Sequence, residues 1–219
     1  MSELRASKSS IRGQAAPEKV IRLPLPDDDA ALVDALRAGR PDARAALFDR
    51  NAPHVRRVLL RVLGADSEIS DLLHELFLEA LERIHQLKNK AALKQWLTGM
   101  AVYKARSLIR KRARRRLVRL LAPEELEQQA LAENAADPEA QEAVRALYRV
   151  LDGMPVDERI GFALRFVDGM DLGEIAGACR VSRATVIRRL ARAQQHFLEG
   201  AGREPALGPW LEGGNRWNT

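Results

Sequence analysis

Residues 170–197 read MDLGEIAGACRVSRATVIRRLARAQQHF. The stretch predicts two helices meeting at a tight turn. Asp171 stands where a carboxylate caps a helix start, since a side-chain oxygen there accepts from first-turn N–H groups that lack a helical partner. Glu174, Ile175 and Ala176 follow it, and Ala178 and Cys179 end the first helix. A sharp turn needs small side chains where the helices meet, and Ala176, Gly177 and Ala178 supply them. Val181 is expected to be the buried turn residue, and Cys179 a small core residue. Ser182 caps a second helix that starts at Arg183. Val186, Leu190 and Ala193 recur at spacings of four and three, so they share one face. Arg183, Arg188, Arg189 and Arg192 lie largely on the other. A capped helix with an apolar inner face and a basic outer one suits the major groove, where residues near its N-terminal end meet base edges. Arg183, Ala184, Thr185 and Arg188, beside the capping Ser182, are the expected readers. Arg pairs with guanine O6 and N7, and Thr touches a thymine methyl. Arg189 and Arg192 are expected on phosphates, which add affinity without sequence information. The competing reading is a plain helical hairpin with a solvated basic face.

The rest of the 219-residue chain supports a helical protein. Ala, Leu and Arg, all good helix formers, are abundant, while aromatics make up only 5%. Few stretches alternate with period two, so no sheet is expected. The fold class predicted is all-α: two small helical domains joined by an acidic linker, the second containing the helix-turn-helix. The 36 Lys and Arg against 30 Asp and Glu give a net charge of +6, which points to a polyanionic partner if the positive charge is clustered. A single cysteine excludes an internal disulfide framework and any multi-cysteine zinc site. His54, His74, His85 and His196 show no metal-ligand spacing, so no metal or cofactor is expected. No apolar run approaches the roughly 20 residues of a membrane span, and the N-terminus lacks the apolar core of a secretory signal. No membrane insertion and a cytoplasmic location are therefore expected.

Residues 1–28 are polar, with Pro17, Pro24 and Pro26, and read as a flexible arm. Residues 29–119 are patterned as helices. A short amphipathic one over 30–38 is stopped by Gly39. Pro41 suits the first position of a longer one reaching about Leu63, where Gly64 closes it. Asp66 or Ser67 caps the next, in which Leu72, Leu76, Leu81 and Ile84 form a stripe widened by Phe77 and Leu78. Residues 86–92 read as a polar loop, and a last helix starts near Leu93. Residues 120–143 contain Glu124, Glu125, Glu127, Glu133, Asp137, Glu139 and Glu142 but no Lys or Arg, and read as an acidic, partly helical linker. Helical patterning returns over 144–199, divided by Pro155 and Gly169, and residues 200–219 form a tail.

The positive charge is indeed clustered. Residues 104–119 hold Lys104, Arg106, Arg110, Lys111, Arg112, Arg114, Arg115, Arg116 and Arg119 with no acid among them. Such a run repels itself unless a polyanion lies nearby, so a nucleic-acid backbone is the natural partner. A solvated helix end, its cations favoured by the C-terminal dipole, is the alternative. The loop just upstream adds Lys88, Asn89 and Lys90. Trp96 can stack on a base or pack in the core.

Three segments together resemble one family, the extracytoplasmic-function sigma factors of bacterial RNA polymerase. Residues 71–84, DLLHELFLEALERI, are similar to the family's D-L-x-Q-E-x-F helix; Asp71, Leu72, Glu75 and Phe77 fit, and His74 replaces the usual Gln. Residues 96–112, WLTGMAVYKARSLIRKR, are similar to its W-L-x-x-I-A-x-N helix. Trp96, Leu97, Ala101 and Arg110 fit, with Tyr103 where Asn is usual and Ser107 where Asp is usual. Residues 151–197 are similar to its C-terminal region through Met154-Pro155, Arg159, Glu174-Ile175-Ala176, Ser182, Thr185-Val186 and Arg188-Arg189-Leu190. The resemblance covers nearly all of residues 30–198. It implies that Asp71, Leu72, His74, Glu75, Phe77 and Leu78 bind the clamp of core RNA polymerase. It implies that Lys88, Asn89, Lys90, Trp96, Tyr103, Arg106, Arg110, Lys111 and Arg112 hold melted and duplex DNA at the −10 element. The residues expected in the loop would capture a flipped base, whose extrusion costs a few kcal/mol. The recognition helix would read the −35 element, and the linker would run through the polymerase near the template strand and RNA exit. An anti-sigma factor is a further implied partner.

Two other classes were weighed. A one-component or response-type regulator shares the C-terminal unit, but needs a sensory or receiver domain, typically α/β, where residues 30–119 read as helical. A nucleic-acid enzyme needs paired carboxylates with metal spacing or a glycine-rich phosphate loop, and neither is present. Asp71 and Glu75, four apart on one helix, read instead as a binding surface or as capping charge.

Overall fold

The structure is a computed structural model that describes residues 28–119 and 137–212. The arm, most of the acidic linker and the end of the tail lie outside these residues. Among the described residues every regular element is helical. The N-terminal unit holds α1 (Asp29–Arg37), α2 (Pro41–Leu63), α3 (Ile69–Arg83) and α4 (Leu93–Arg119). The C-terminal unit holds α5 (Pro138–Asp152), α6 (Val156–Phe162), α7 (Leu172–Cys179), α8 (Arg183–Ala201) and α9 (Gly208–Glu212).

Local signals set most boundaries. Pro41 opens α2 and Gly64 closes it with φ 86°, a backbone that disfavours a side chain. Pro53 sits inside α2 without ending it. α3 differs from expectation at its start. Its cap position is Glu68, which makes no side-chain cap bond, while the Asp66 carboxylate accepts from the Glu68 N–H at 2.9 Å. The expected loop at 86–92 contains two short 3-10 turns, Ile84–Gln86 and Lys90–Ala92. Asn89 caps the second, and Arg37 of α1 donates to the Ile84 and Leu87 carbonyls, so the segment is pinned. Asp137 caps α5, which takes in residues 138–143; the helical unit therefore begins earlier than the expected residue 144.

The two units do not stand apart on a tether. One continuous core joins Leu32, Leu59, Leu76 and Leu97 of the first to Ile160, Leu164, Ile175, Ala178 and Leu190 of the second. α4 packs on α7 through small residues: a Cβ built on Gly99 would sit in ordinary contact, 3.6 Å, with the Ala178 carbonyl oxygen. Gly177 is tighter still, with Gln95 of α4 filling the place a Cβ would need, 2.4 Å away. Polar contacts reinforce the junction. Of the last carbonyls of α2, that of Leu60 accepts from the Gly64 N–H at 2.9 Å, and the others look outside the helix for donors. Tyr148 Oη donates to the Leu60 and Arg61 carbonyls at 2.9 and 3.1 Å, and Arg159 donates to those of Val62 and Leu63 at 3.1 and 3.3 Å. Burial pushes the Tyr148 phenol pKa up. The cation of Arg159 also sits at the negative end of the α2 dipole.

A second cluster lies within the C-terminal unit around Phe162, whose ring packs on Phe166 and Phe197 with centroids 4.8 and 4.5 Å apart. The tail belongs to this cluster. Leu207, in a short turn at Pro205–Leu207, is 5% exposed, and Arg149 of α5 holds Glu204 at 2.7 Å. Among the described residues no helix is long and apolar enough to cross a membrane.

Two predictions follow from these contacts. Leu207→Ala should cost about 2–5 kcal/mol of stability, the usual range for a buried leucine, read from urea unfolding; an unchanged midpoint would mean that the tail is not part of the fold. The second concerns His54, which lies between α2 and α4. Thr98 Oγ1 donates to the Lys94 carbonyl at 2.8 Å, so the 2.7 Å contact from His54 Nε2 to that hydroxyl is donated by the ring. Arg57 can only donate, so Nδ1 accepts from it, and the imidazole is neutral. Burial, with Lys94 and Arg57 nearby, lowers its pKa. With the folded value below the unfolded one near 6.5, stability is full above that value and is lost as pH falls toward the folded one. Unfolding midpoints at pH 7 and pH 5 should therefore differ, and His54→Gln should shrink the difference; an equal drop in the variant would exclude His54 as its source.

Candidate nucleic-acid interface

The helix-turn-helix is built as its sequence suggests. Asp171 accepts from the N–H groups of Gly173 and Glu174, and the Glu174 carboxylate accepts from the Asp171 N–H at 2.8 Å, a reciprocal capping box. Those backbone bonds hold the Asp171 carboxyl below the usual carboxylate range. α7 ends at Arg180 in the left-handed conformation, φ 55°, the one described non-glycine residue with positive φ. Val181, expected to be buried, is only half-buried. Ser182 caps α8 by accepting from the Thr185 N–H at 3.2 Å, and Val186, Leu190 and Ala193 face the core. Ser182, Arg183, Ala184, Arg188 and Arg192 are exposed, and Thr185 is half-buried. The Thr185 hydroxyl lies 3.3 Å from Arg188 Nη2, so the two present their polar groups side by side. Arg189 departs from the others: it is half-buried and pairs with Asp157 of α6 at 3.0 Å.

The residues expected on α4 divide in the same way. Tyr103 is 65% exposed and lines, with Arg106, Ser107, Arg110, Ala113 and Arg114, a shallow groove of about 480 Å³. An exposed aromatic ring among arginines can stack on a base while the cations meet phosphates. Of the three departures from the family pattern, the two on α4, Tyr103 and Ser107, share this groove one helical turn apart. Lys111 is exposed too. Arg112 is committed elsewhere: it pairs with both oxygens of Asp66 and, at 2.9 Å, with Glu68, tying α4 to the start of α3. Burial works against the Asp66 carboxylate, but the Arg112 donors and the Glu68 N–H outweigh it and keep its pKa low. Arg106 is bound to Asp157 at 2.9 Å. Trp96 is half-buried against the core, so only part of its ring is open to a base. Lys88 and Asn89 are exposed on the pinned turn, while Lys90 reaches Asp34 of α1.

On α3, Asp71, His74 and Glu75 are exposed, Leu72 is half-buried and Leu78 is 64% exposed. Phe77 points inward and packs on Phe48, centroids 5.0 Å apart, so its part in any surface is to shape it from beneath. The His74 ring stacks on Phe48 at 6.0 Å and its Nδ1 lies 2.8 Å from the Ser70 carbonyl, which fixes its direction. Lys104 reaches across from α4 to Glu75 and Glu79. Sequence reasoning did not single out Asp157, Arg57 or Tyr148. Each has a partner in the other unit, Arg106, Asp168 and the end of α2 respectively, and no spacing along the chain announces such a pairing. Among the described residues no group of three or more His, Cys, Asp or Glu side chains could hold a metal ion.

Comparison with known proteins agrees with this layout. A model of sigma-70 region 2 matches residues 47–115, and one of sigma-70 region 4 matches residues 144–197. The ECF RNA polymerase sigma factor SigX of Bacillus subtilis (strain 168) is 27% identical over 144 residues, covering 64% of this chain and 74% of its own. The ECF RNA polymerase sigma-E factor of Escherichia coli (strain K12) is 25% identical over 174 residues, covering 76% and 91%. CnrH, solved in complex with the cytosolic domain of CnrY, shares the fold with a TM-score of 0.57 at 17% identity, over 79% of this chain and 96% of its own. The sigma factor RpoE, solved with the anti-sigma factor NepR from Bartonella quintana, does so with a TM-score of 0.53 at 19% identity, over 72% and 95%. With both sigma-70 regions matched in order, and curated relatives covered over most of their length, the chain belongs to the extracytoplasmic-function subfamily of RNA polymerase sigma factors and directs promoter-specific transcription initiation.

Proposed function

We propose that this sigma factor works through three surfaces. The exposed face of α3, with Asp71, His74, Glu75 and Leu78 and with Leu72 and Phe77 beneath, docks on the clamp of core polymerase. The pinned turn with Lys88, Asn89 and Lys90, followed by Trp96, Tyr103, Arg106, Arg110 and Lys111 of α4, opens and holds the −10 element. The first turns of α8 read the −35 element, with Arg183, Ala184, Thr185 and Arg188 toward base edges and Arg189 and Arg192 toward phosphates. The protein does no bond chemistry; that belongs to the polymerase it serves in the cytoplasm.

The observation that carries this reading is the pairing on one chain of two basic helices, each on the unit that matches a promoter-reading region. Arg112 is revised from a DNA contact to a brace, because Asp66 and Glu68 already occupy its donors. The complexes of CnrH with CnrY and of RpoE with NepR support an anti-sigma factor as a partner of this chain as well.

Purified protein added to sigma-free core polymerase should give promoter-specific transcripts from its genome's fragments. Their absence from every fragment would overturn the proposal. Arg188→Ala should cost about 1–3 kcal/mol of promoter affinity and relax the base preference at one position of the −35 element, whereas Arg192→Ala should weaken all sequences alike. A uniform loss from Arg188→Ala would demote it to a phosphate contact. Charge reversal at Glu75 should weaken binding to core while leaving helicity intact; undiminished binding would remove α3 from the docking surface.

A further inference from the structure

The turn between α3 and α4 is held at both ends by a helix outside it, α1. At its entry, Arg37 Nη2 donates to the carbonyls of Ile84, at 3.2 Å, and of Leu87. At its exit, Asp34 pairs with Lys90. The Leu87 side chain, 5% exposed, fastens the middle of the segment into the core. Between these anchors stand Lys88 and Asn89, both exposed. α1 itself precedes residues 47–115, the part that matches sigma-70 region 2.

The anchoring fixes which groups the tip can offer. Asn89 Oδ1 is turned back into the segment, where it accepts from the Ala91 N–H at 3.2 Å. The Asn89 backbone carbonyl accepts from the Ala92 N–H at 3.0 Å. Of the two amide atoms only the oxygen can accept from an N–H, so chemistry settles which way the side chain is turned. What remains for a ligand is Nδ2, which only donates, beside the Lys88 ammonium, which also only donates. Two donors need acceptors opposite them. The usual pairing of asparagine with adenine uses both amide atoms, the oxygen accepting from N6 and the nitrogen donating to N7. With the oxygen committed to Ala91, the adenine amino group would meet donors alone. Thymine, cytosine and guanine each carry a carbonyl oxygen, and adenine is the base that carries none.

We infer that Asn89 is a specificity-determining residue for the −10 element, admitting an unpaired base that bears a carbonyl oxygen and turning away adenine. Arg37 is the positioning residue that keeps the tip in this shape, so less ordering is required when the base arrives. The inference rests on the assignment of this turn to a flipped base. An uncapped asparagine could turn its amide to suit any base; the bond to Ala91 removes that freedom.

The test uses core polymerase reconstituted with the full-length protein, and a labelled single-stranded DNA with the non-template −10 sequence of a promoter that it transcribes. An abasic residue moved along the strand locates the captured base as the position where affinity falls most. Adenine placed there should bind about tenfold more weakly than bases with a carbonyl, the effect of one well-made pair. Hypoxanthine, which carries an O6 carbonyl where adenine has its N6 amino group, should recover the loss. Asn89→Asp keeps an oxygen for the Ala91 N–H but exchanges the donor for an acceptor, so the preference should turn toward adenine. Arg37→Ala should flatten the differences among bases, and Arg37→Lys, which still donates to a carbonyl, should restore most of them. Adenine bound as tightly as hypoxanthine, or a preference unmoved by Asn89→Asp, would overturn the inference. An equal loss for every base from Arg37→Ala would overturn the role given to α1. An abasic scan without any affected position would instead remove base capture itself, and with it the reading of the turn on which the inference rests.

Discussion

The fit of α4 against α7 governs the arrangement of everything else. The two helices belong to different units, and both present small residues to each other: Gly99 on one side, Gly177 and Ala178 on the other. Backbones that come this close bring Leu97, Ala101, Ile175 and Cys179 into one apolar layer, where burial contributes about 25 cal/mol per Å² removed from water. The same approach carries α6 alongside α4 and sets Asp157 between two arginines. The junction between the two units thus runs through one helix pair.

The electrostatics follow a common rule at several points. A run as basic as residues 104–119 is tolerable in a free protein because some of its cations are answered from within. Arg112 is answered by Asp66 and Glu68, Lys104 by Glu75 and Glu79, and Arg106 by Asp157. The answers differ in kind. Arg112 braces one unit internally, so nothing in DNA binding needs to break it. Arg106 is held from the other unit, so its pairing depends on how the two halves sit. Tyr103, Arg110 and Lys111 have no such partner to break in the proposed DNA contact, and all three are exposed.

What the sequence made legible was local. The Asp171 cap, the Ser182 cap and the Val186–Leu190–Ala193 spacing depend on residues within one or two turns, and the structure reproduces them, adding the Glu174 half of a capping box. So do Pro41 and Gly64 around α2, although Pro53 inside that helix carries no signal that it would be spared. The spacing of Phe77 placed it on the apolar stripe, and the family pattern marked it for docking; its contact with Phe48 shows that the first reading describes its side chain. The junction between units was not legible, because its members lie 97 residues apart in the case of Arg159 and Val62 and 88 in that of Tyr148 and Leu60. An apolar face such as Ile160, Leu164 and Ile175 announces burial but not its partner. The packing of the tail was not legible either, because Leu207, which anchors it, stands among glycines and prolines with no periodic stripe around it.

The claim on which all of this converges is that one chain reads a promoter at two places. Genome-wide mapping of transcript starts made by core polymerase reconstituted with this protein addresses it most directly. The account predicts start sites preceded by two short sequence blocks, one near −10 and one near −35, at a nearly constant separation. Starts indistinguishable from those of core polymerase alone, or preceded by a single palindromic block, would contradict it.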